Sequence, residues 1–238
     1  MAFANKNILI VGASSGIGLA LAQKLQASGA NIITASRHAE SSLVAAGASF
    51  LRFDAVSDPA EILSAGLPDV LHGVVYCPGS INLKPFHRLT LTDFQTDLNV
   101  NLLGAVKTLQ ASFKALKQAE GASVVLFSTV AAQMGMGFHA SVAASKAAVE
   151  GLAKSLAAEW APNKINVNVI APALTDTPLA ANLLNTPEKQ EASAKRHPLG
   201  RYGSANEVAA AAEYLLSEQA SWITGQVLKI DGGLSSVR

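Results

Sequence analysis

The hydrophobic positions of this 238-residue chain fall into two alternating kinds of run. One kind is short, continuous and rich in Val and Ile: "NILIVGA", "NIITAS", "SFLRFDA", "HGVVYCPG", "ASVVLFST", "INVNVIAP" and "GQVLKIDGG". A strand buried on both faces reads this way, because neither of its sides meets water. The other kind spaces its apolar residues three and four apart, as in "GIGLALAQKLQASG", where Gly29 suits the position just past a helix end. Their alternation predicts repeated β–α–β units. Such crossovers are right-handed and return the chain to the same sheet, so the strands lie parallel with helices on both faces. The predicted fold is a single α/β domain over residues 1–238, a doubly wound parallel sheet of seven strands.

"TLTDFQTDLNVNLLGAVKTLQASFKALKQAE" predicts one long helix, with Thr92 and Gln95 at capping-box spacing. A later helix carries Lys146 and ends near Pro162; Ser141 has the chemistry of its N-cap, which places His139 in the preceding loop. Residues 175–204 are polar and broken by prolines, contain no run that would find a partner strand, and are expected to form a lid-like loop.

Composition acts mainly by exclusion. Half of the residues are apolar, enough for a sizeable core, and the formal net charge is +1 without a basic block. Nucleic acid and anionic membrane are therefore not expected partners. No apolar run reaches the roughly 20 residues that span a bilayer, and the N-terminus lacks the pattern of a signal peptide. Cys77 is the single cysteine, so no intrachain disulfide can form and the expected compartment is the reducing cytoplasm. No metal site is expected.

The chemistry begins at "VGASSGIG", which sets Gly12, Gly16 and Gly18 between a buried strand and a helix. Glycines there allow a tight turn and let a pyrophosphate approach the helix N-terminus, where free N–H groups and the dipole favour anions. The alternative for such a turn is a tight bend and nothing more. The second strand ends in "ASRH", with Ser36 and Arg37 where a site selective for NAD carries an acid. A guanidinium suits a 2′-phosphate, so NADP(H) is the expected cofactor, against the plainer reading of a solvated charge.

Taken together, several motifs resemble the short-chain dehydrogenases/reductases, most of all their 3-oxoacyl-ACP-reductase-like branch. They are the Gly-x-x-x-Gly-x-Gly spacing, Asp54 after the third strand, "NLLG", the lysine helix and the terminal "ITGQVLKIDGG". The resemblance covers essentially the whole chain and implies a Rossmann dinucleotide-binding fold and an oxidoreductase acting on a small molecule. It assigns Gly12, Ser14, Ser15, Ile17 and Arg37 to the phosphates and adenosine ribose, and Asp54 and Ala55 to adenine. It places Cys77, Pro78 and Gly79 along the adenosine ribose side, and Thr175 and Thr177 at the carboxamide and phosphates. Asn101 matches the family's asparagine, and Lys146 the lysine that holds the nicotinamide ribose. It also implies a homodimer or homotetramer, built through the long helix, the lysine helix and the last strand.

The departures concern chemistry. The family's tyrosine falls on Val142, four residues before Lys146, and its serine on Thr129, which keeps a hydroxyl. The Asn-Asn-Ala-Gly segment is "YCPG", and the Pro-Gly after the sixth strand is Pro172-Ala173. In the family's mechanism the tyrosine protonates the carbonyl oxygen as hydride arrives, which valine cannot do. His139, seven residues before Lys146, resembles the acid of some enoyl reductases and is a candidate donor beside Thr129 and water; a loop histidine without a role is its alternative. Ser141 and Ser145 read as cap and helix surface, Met134 and Met136 as pocket wall. Cys77 reads as a small hydrophobe rather than a reactive thiol, and Tyr76 as facing away from it. Two functions follow. One is an NADP(H)-dependent reductase of an activated C=C, quinone or carbonyl; the other is a cofactor-binding homologue without turnover.

Overall fold

All seven predicted strands form, and they pair in one parallel sheet. The computed structural model describes residues 2–237. In chain order the elements are β1 (Asn7–Val11), α1 (Gly16–Ala27), β2 (Asn31–Ser36), α2 (Ser41–Ala45), β3 (Ser49–Arg52), α3 (Ala60–Ala65) and β4 (Gly73–Tyr76). They continue with α4 (Leu91–Leu98), α5 (Gly104–Lys117), β5 (Ala122–Phe127), α6 (Ala140–Trp160) and β6 (Ile165–Pro172). The last part holds β7 (Thr175–Asp176), α7 (Pro187–Arg196), β8 (Gly203–Ser204), α8 (Ala205–Leu216) and β9 (Val227–Ile230). The sheet order is β3-β2-β1-β4-β5-β6-β9. The winding reverses between β1 and β4, and at such a point the loops leaving the carboxyl ends diverge and open a crevice.

Alternate residues of each strand feed opposite cores. Leu9, Val74, Val124 and Leu126 pack with Leu109 and Leu116 of α5 and Val149 and Trp160 of α6. Ile8, Ile10, Val75 and Val125 pack with Leu21 and Leu25 of α1 and Val208 and Leu215 of α8. No helix among the described residues is long and apolar enough to cross a membrane.

The long predicted helix is interrupted. A π turn over Asn99–Leu103 separates α4 from α5, and Asn101 sits in it. Its cap also differs from the expected one. The Thr90 hydroxyl accepts the Asp93 N–H at 3.2 Å and Asp93 Oδ2 accepts the Thr90 N–H at 2.9 Å, while Thr92 and Gln95 lie inside α4. Asp93 wins because Asn82 and Lys84 also converge on its Oδ1, at 3.1 and 2.6 Å, and hold it at the helix start.

The lysine helix begins two residues earlier than Ser141 suggested. His139 is its N-cap residue, with no side-chain capping bond, and Ser141 lies buried inside the first turn with its hydroxyl unpartnered. The segment 175–204 also closes on itself rather than lacking strands: Thr175 and Asp176 of β7 pair with Gly203 and Ser204 of β8. Those two short strands form its neck, and α7 lies between them.

Candidate active site

Val11, Tyr76, Phe127 and Pro172 end β1, β4, β5 and β6, and all four line one cavity of about 1160 Å³. Its floor at one end is the glycine turn. Gly12 and Gly16 have φ of +83° and +55°, the left-handed region that side-chain-bearing residues rarely occupy. A Cβ on Gly18 would strike the Gly12 carbonyl oxygen, so helix and strand meet this closely only without one. Ser15 is the N-cap of α1 in extended conformation, and its side chain makes no capping bond. The first N–H groups of α1 are thus not engaged by a side chain and face a cavity that Ser14 and Ile17 also line. That arrangement suits a phosphate.

Arg37, after β2, is exposed and forms no ion pair among the described residues. Asp54 and Ala55 follow β3 on the same wall, where Asp54 Oδ1 accepts the Val56 N–H at 2.9 Å. Cys77, Pro78 and Gly79 leave β4 so close to the glycine turn that a Cβ on Gly12 would stand 3.0 Å from Pro78 Cδ. Burial pushes the Cys77 thiol up to about 12 against the pull of Lys146, so it stays protonated and inert as a nucleophile. Tyr76 points to the other face, donating to the Val100 carbonyl at 2.6 Å.

At the far end Lys146 is buried and its Nζ donates to the Phe127 carbonyl at 2.8 Å. Burial lowers its pKa to about 8, with the Asp97 carboxyl pulling it back upward. One turn earlier the Val142 isopropyl lines the same cavity. Thr129 and His139 line it as well. The Thr129 hydroxyl accepts the Ala131 N–H at 3.3 Å and caps a short 3₁₀ turn; the half-buried His139 ring bonds through Nδ1 to the Gly137 carbonyl at 2.6 Å. Asn101 stands behind the wall rather than in it, 1 % exposed.

Behind that wall runs a network that sequence reading missed. Asn101 Nδ2 donates to Ser80 Oγ at 3.0 Å and to Ser145 Oγ at 2.9 Å; Asn101 Oδ1 accepts the Ser80 N–H at 3.2 Å. Ser80 Oγ donates in turn to Asp97 Oδ1 at 2.6 Å. Ser145 is therefore not helix surface but fully buried, turned inward because α4 and the π turn pack on its side of α6. Ser128 donates to Glu150 at 2.7 Å, and Gln133 holds the other oxygen of that carboxylate at 2.8 Å, which pins the chain on both sides of Thr129 onto α6. Asp97 lies four residues before Asn101, one helical turn away, and that spacing was the available signal.

The 175–204 segment reaches over the cavity. Thr177 Cγ2 would lie 3.3 Å from a Cβ on Gly16, so the root of the segment touches the glycine turn, and Thr175 lines the same wall. Lys189, Arg196 and His197 of this segment line the cavity too, and no sequence motif had marked them.

A parallel doubly wound sheet with a glycine turn at its switch point and a buried lysine beside it defines a dinucleotide-binding oxidoreductase architecture. The sequence matches the family described as enoyl-(acyl carrier protein) reductase over residues 12–235. It is 34 % identical to D-threitol dehydrogenase of Mycolicibacterium smegmatis, covering 96 % of this chain and 92 % of that protein. A short-chain type dehydrogenase/reductase from Mycobacterium ulcerans superposes with a TM-score of 0.92 at 30 % identity, over 100 % of this chain and 92 % of the other. ElxO with NADP bound superposes with a TM-score of 0.88 at 26 % identity, over 98 % of this chain and 99 % of the other. The chain belongs to the short-chain dehydrogenases/reductases, a family of oxidoreductases.

Proposed function

We propose that this protein is an NADP(H)-dependent reductase of an activated small molecule: a conjugated C=C, a quinone or a reactive carbonyl. The observation that carries the reading is one cavity joining the open N-terminus of α1 to Lys146, with Arg37, which has no ion pair among the described residues, at its rim. Gly12, Ser14, Ser15, Gly16, Ile17 and Gly18 would hold the phosphates, Arg37 the 2′-phosphate, and Asp54 and Ala55 the adenine. Lys146 would hold the nicotinamide ribose, with Cys77, Pro78 and Gly79 along the adjoining wall and Thr175 and Thr177 over the top. When bound, such a cofactor supplies hydride. The residues fit that group, since uncommitted N–H donors and a free guanidinium meet in one place. NADP bound to the similar ElxO supports the choice of phosphate.

The protein's own part is to orient the substrate, exclude water and manage one proton. Val142 lies where the family's tyrosine is expected and offers no proton, so acid help of the usual ~10²–10⁴-fold must come from elsewhere or be dispensable. Quinones and enones meet that condition, because charge delocalises once hydride has arrived. The segment 175–204 would act as the lid that shields this step. A homodimer or homotetramer is part of the proposal, supported by exposed apolar side chains such as Leu91, Leu103 and Trp222, and a monomer in light scattering would refute it.

A second reading is favoured by the same valine: a homologue that binds the cofactor without turnover. NADPH oxidation against a panel of quinones, enones and ketoacyl thioesters, beside calorimetric NADPH binding, separates the two. Turnover of any panel member establishes the reductase; binding without oxidation establishes the second reading.

A further inference from the structure

The reductase reading leaves Asp97 without a role. It lies on α4, 1 % exposed, and only one of its oxygens is satisfied: Oδ1 accepts the Ser80 hydroxyl at 2.6 Å, while Oδ2 has no partner among the described residues. A buried carboxylate with an idle oxygen is costly unless a positive charge compensates it.

Lys146 is the cation on which its charge acts. Asn101, whose Nδ2 holds Ser80, has its Oδ1 at 3.5 Å from the point where a Cβ on Gly79 would stand. Lys146 Nζ is also 3.5 Å from that point. Asp97, Ser80 and Asn101 thus back onto the pocket of the ammonium, although no carboxylate among the described residues forms a salt bridge with it. Other charged groups near α6 are engaged elsewhere. Asp93 pairs with Lys84 at 2.6 Å, and Glu150 is bound to Ser128 and Gln133. His139 is half-buried at the helix end with its Nδ1 bonded to the Gly137 carbonyl, and the Cys77 thiol, its pKa raised by desolvation, is neutral. Beside the ammonium, where a second proton donor would be useful, stands the isopropyl group of Val142.

We propose that Lys146 is the acid of this site, giving a proton to the substrate oxygen, and that Asp97 is a positioning residue whose charge keeps that lysine protonated. This rests on the reductase reading above. With hydride supplied by the proposed cofactor, the π pair of the carbonyl, or of the enone through conjugation, would move to oxygen as the substrate carbon is reduced. That oxygen forms an O–H bond with a Lys146 proton, and the electron pair of the broken N–H bond stays on nitrogen. The neutral amine then takes a proton from water at the cavity mouth. A lysine near 8 is mostly charged at neutral pH yet weak enough to release its proton, as general acid catalysis requires.

The first arm of the test needs no turnover. The apoprotein is labelled briefly with acetic anhydride across pH 6–11, and acetylation of Lys146 is read by mass spectrometry. The expected midpoint is near 8 in the wild type. In Asp97→Asn, which keeps the shape and an acceptor for Ser80, it should fall by about one pH unit. Ser80→Ala keeps the carboxylate and should leave the midpoint lower by less, which separates charge from loss of packing. A midpoint unmoved in Asp97→Asn overturns the positioning role. The second arm follows kcat/KM for reduction, which should decline above the labelling midpoint and shift with it in Asp97→Asn. A rate profile that stays fixed while the labelling midpoint moves overturns Lys146 as the acid. An enzyme that binds NADPH but reduces nothing refutes the reductase reading and the acid role with it, while the labelling still decides the link between Asp97 and Lys146.

Discussion

Asn101 donates to Ser145 Oγ at 2.9 Å, which ties the π turn to the helix that carries Lys146 one residue further on. The bond is fully buried and joins residues 44 apart in sequence. Asn101→Ala removes the donor shared by Ser80 and Ser145 and should cost roughly 1–3 kcal/mol, the usual range for stranding buried polar partners. Ser145→Ala should cost less, because it removes an acceptor and its own proton goes only to the Val142 carbonyl. Urea denaturation of the two variants checks the order.

Gly104 and Tyr76 form a second coupled pair. A Cβ on Gly104 would overlap the Tyr76 hydroxyl, whose proton goes to the Val100 carbonyl inside the π turn. Gly104→Ala should destabilise by about 1–3 kcal/mol through overpacking. Tyr76→Phe should cost about 1 kcal/mol for the lost hydrogen bond. The double variant should be more stable than the sum of the two losses, since removing the hydroxyl makes room for the methyl. Strict additivity in thermal denaturation would contradict this packing.

The proposed preference for NADP(H) rests on one side chain, Arg37. NADPH should bind more tightly than NADH, and Arg37→Asp should reverse the order by exchanging an attraction for a repulsion at the 2′-phosphate. Fluorescence titration with both cofactors measures it. Equal affinities in the wild type would remove the basis for preferring NADP(H).

Val142→Tyr asks how the cavity has been used. If Lys146 and Thr129 still frame a carbonyl site, the new phenol should create or raise ketone reduction. If the cavity is shaped around valine, which is 6 % exposed, the ring should instead lower reduction of quinones and enones. His139→Ala should change either activity by only a few-fold, because its ring is committed through Nδ1 to the carbonyl of Gly137 in its own loop. A loss of about 10²-fold would make the imidazole the acid.

Lys146 also ties pH to stability. Its folded pKa, about 8, lies below the ordinary lysine value of 10.5. The charged form therefore weakens the fold: the penalty is full below about pH 8 and fades as pH rises toward the unfolded value. Lys146→Met should lose reductase activity and this pH dependence, so its stability relative to the wild type should be higher at pH 7 than at pH 10, by up to roughly 3 kcal/mol at about 1.4 kcal/mol per pKa unit. The change should fall between pH 8 and 10.5. Denaturation at pH 7 and pH 10 provides the comparison.

By itself the sequence determined the seven strands, the glycine turn and the helix that carries the lysine. These were legible because each is local. A strand buried on both faces needs only its own apolar residues, and the turn at Gly12 and Gly16 needs only the left-handed freedom of glycine. Even the end of the lysine helix, near Pro162, was local in this sense. The cap at Thr90 was not, because Lys84 and Asn82 select Asp93 from outside the helix.

Only the tertiary structure decided what stands behind the cavity wall. Ser145 has the same residue type whether it faces water or the core, and the packing of α4 and the π turn on α6 turned it inward. Asp97 read as one more polar residue on a helix until that packing buried it and brought Ser80 to it across 17 positions of chain. Likewise β7 and β8 are too short to show a pattern, and they exist because the neck of the 175–204 segment brings them together. Periodicity records which face of an element is apolar. The partners of a buried polar atom depend on how elements pack, which no single stretch of sequence contains.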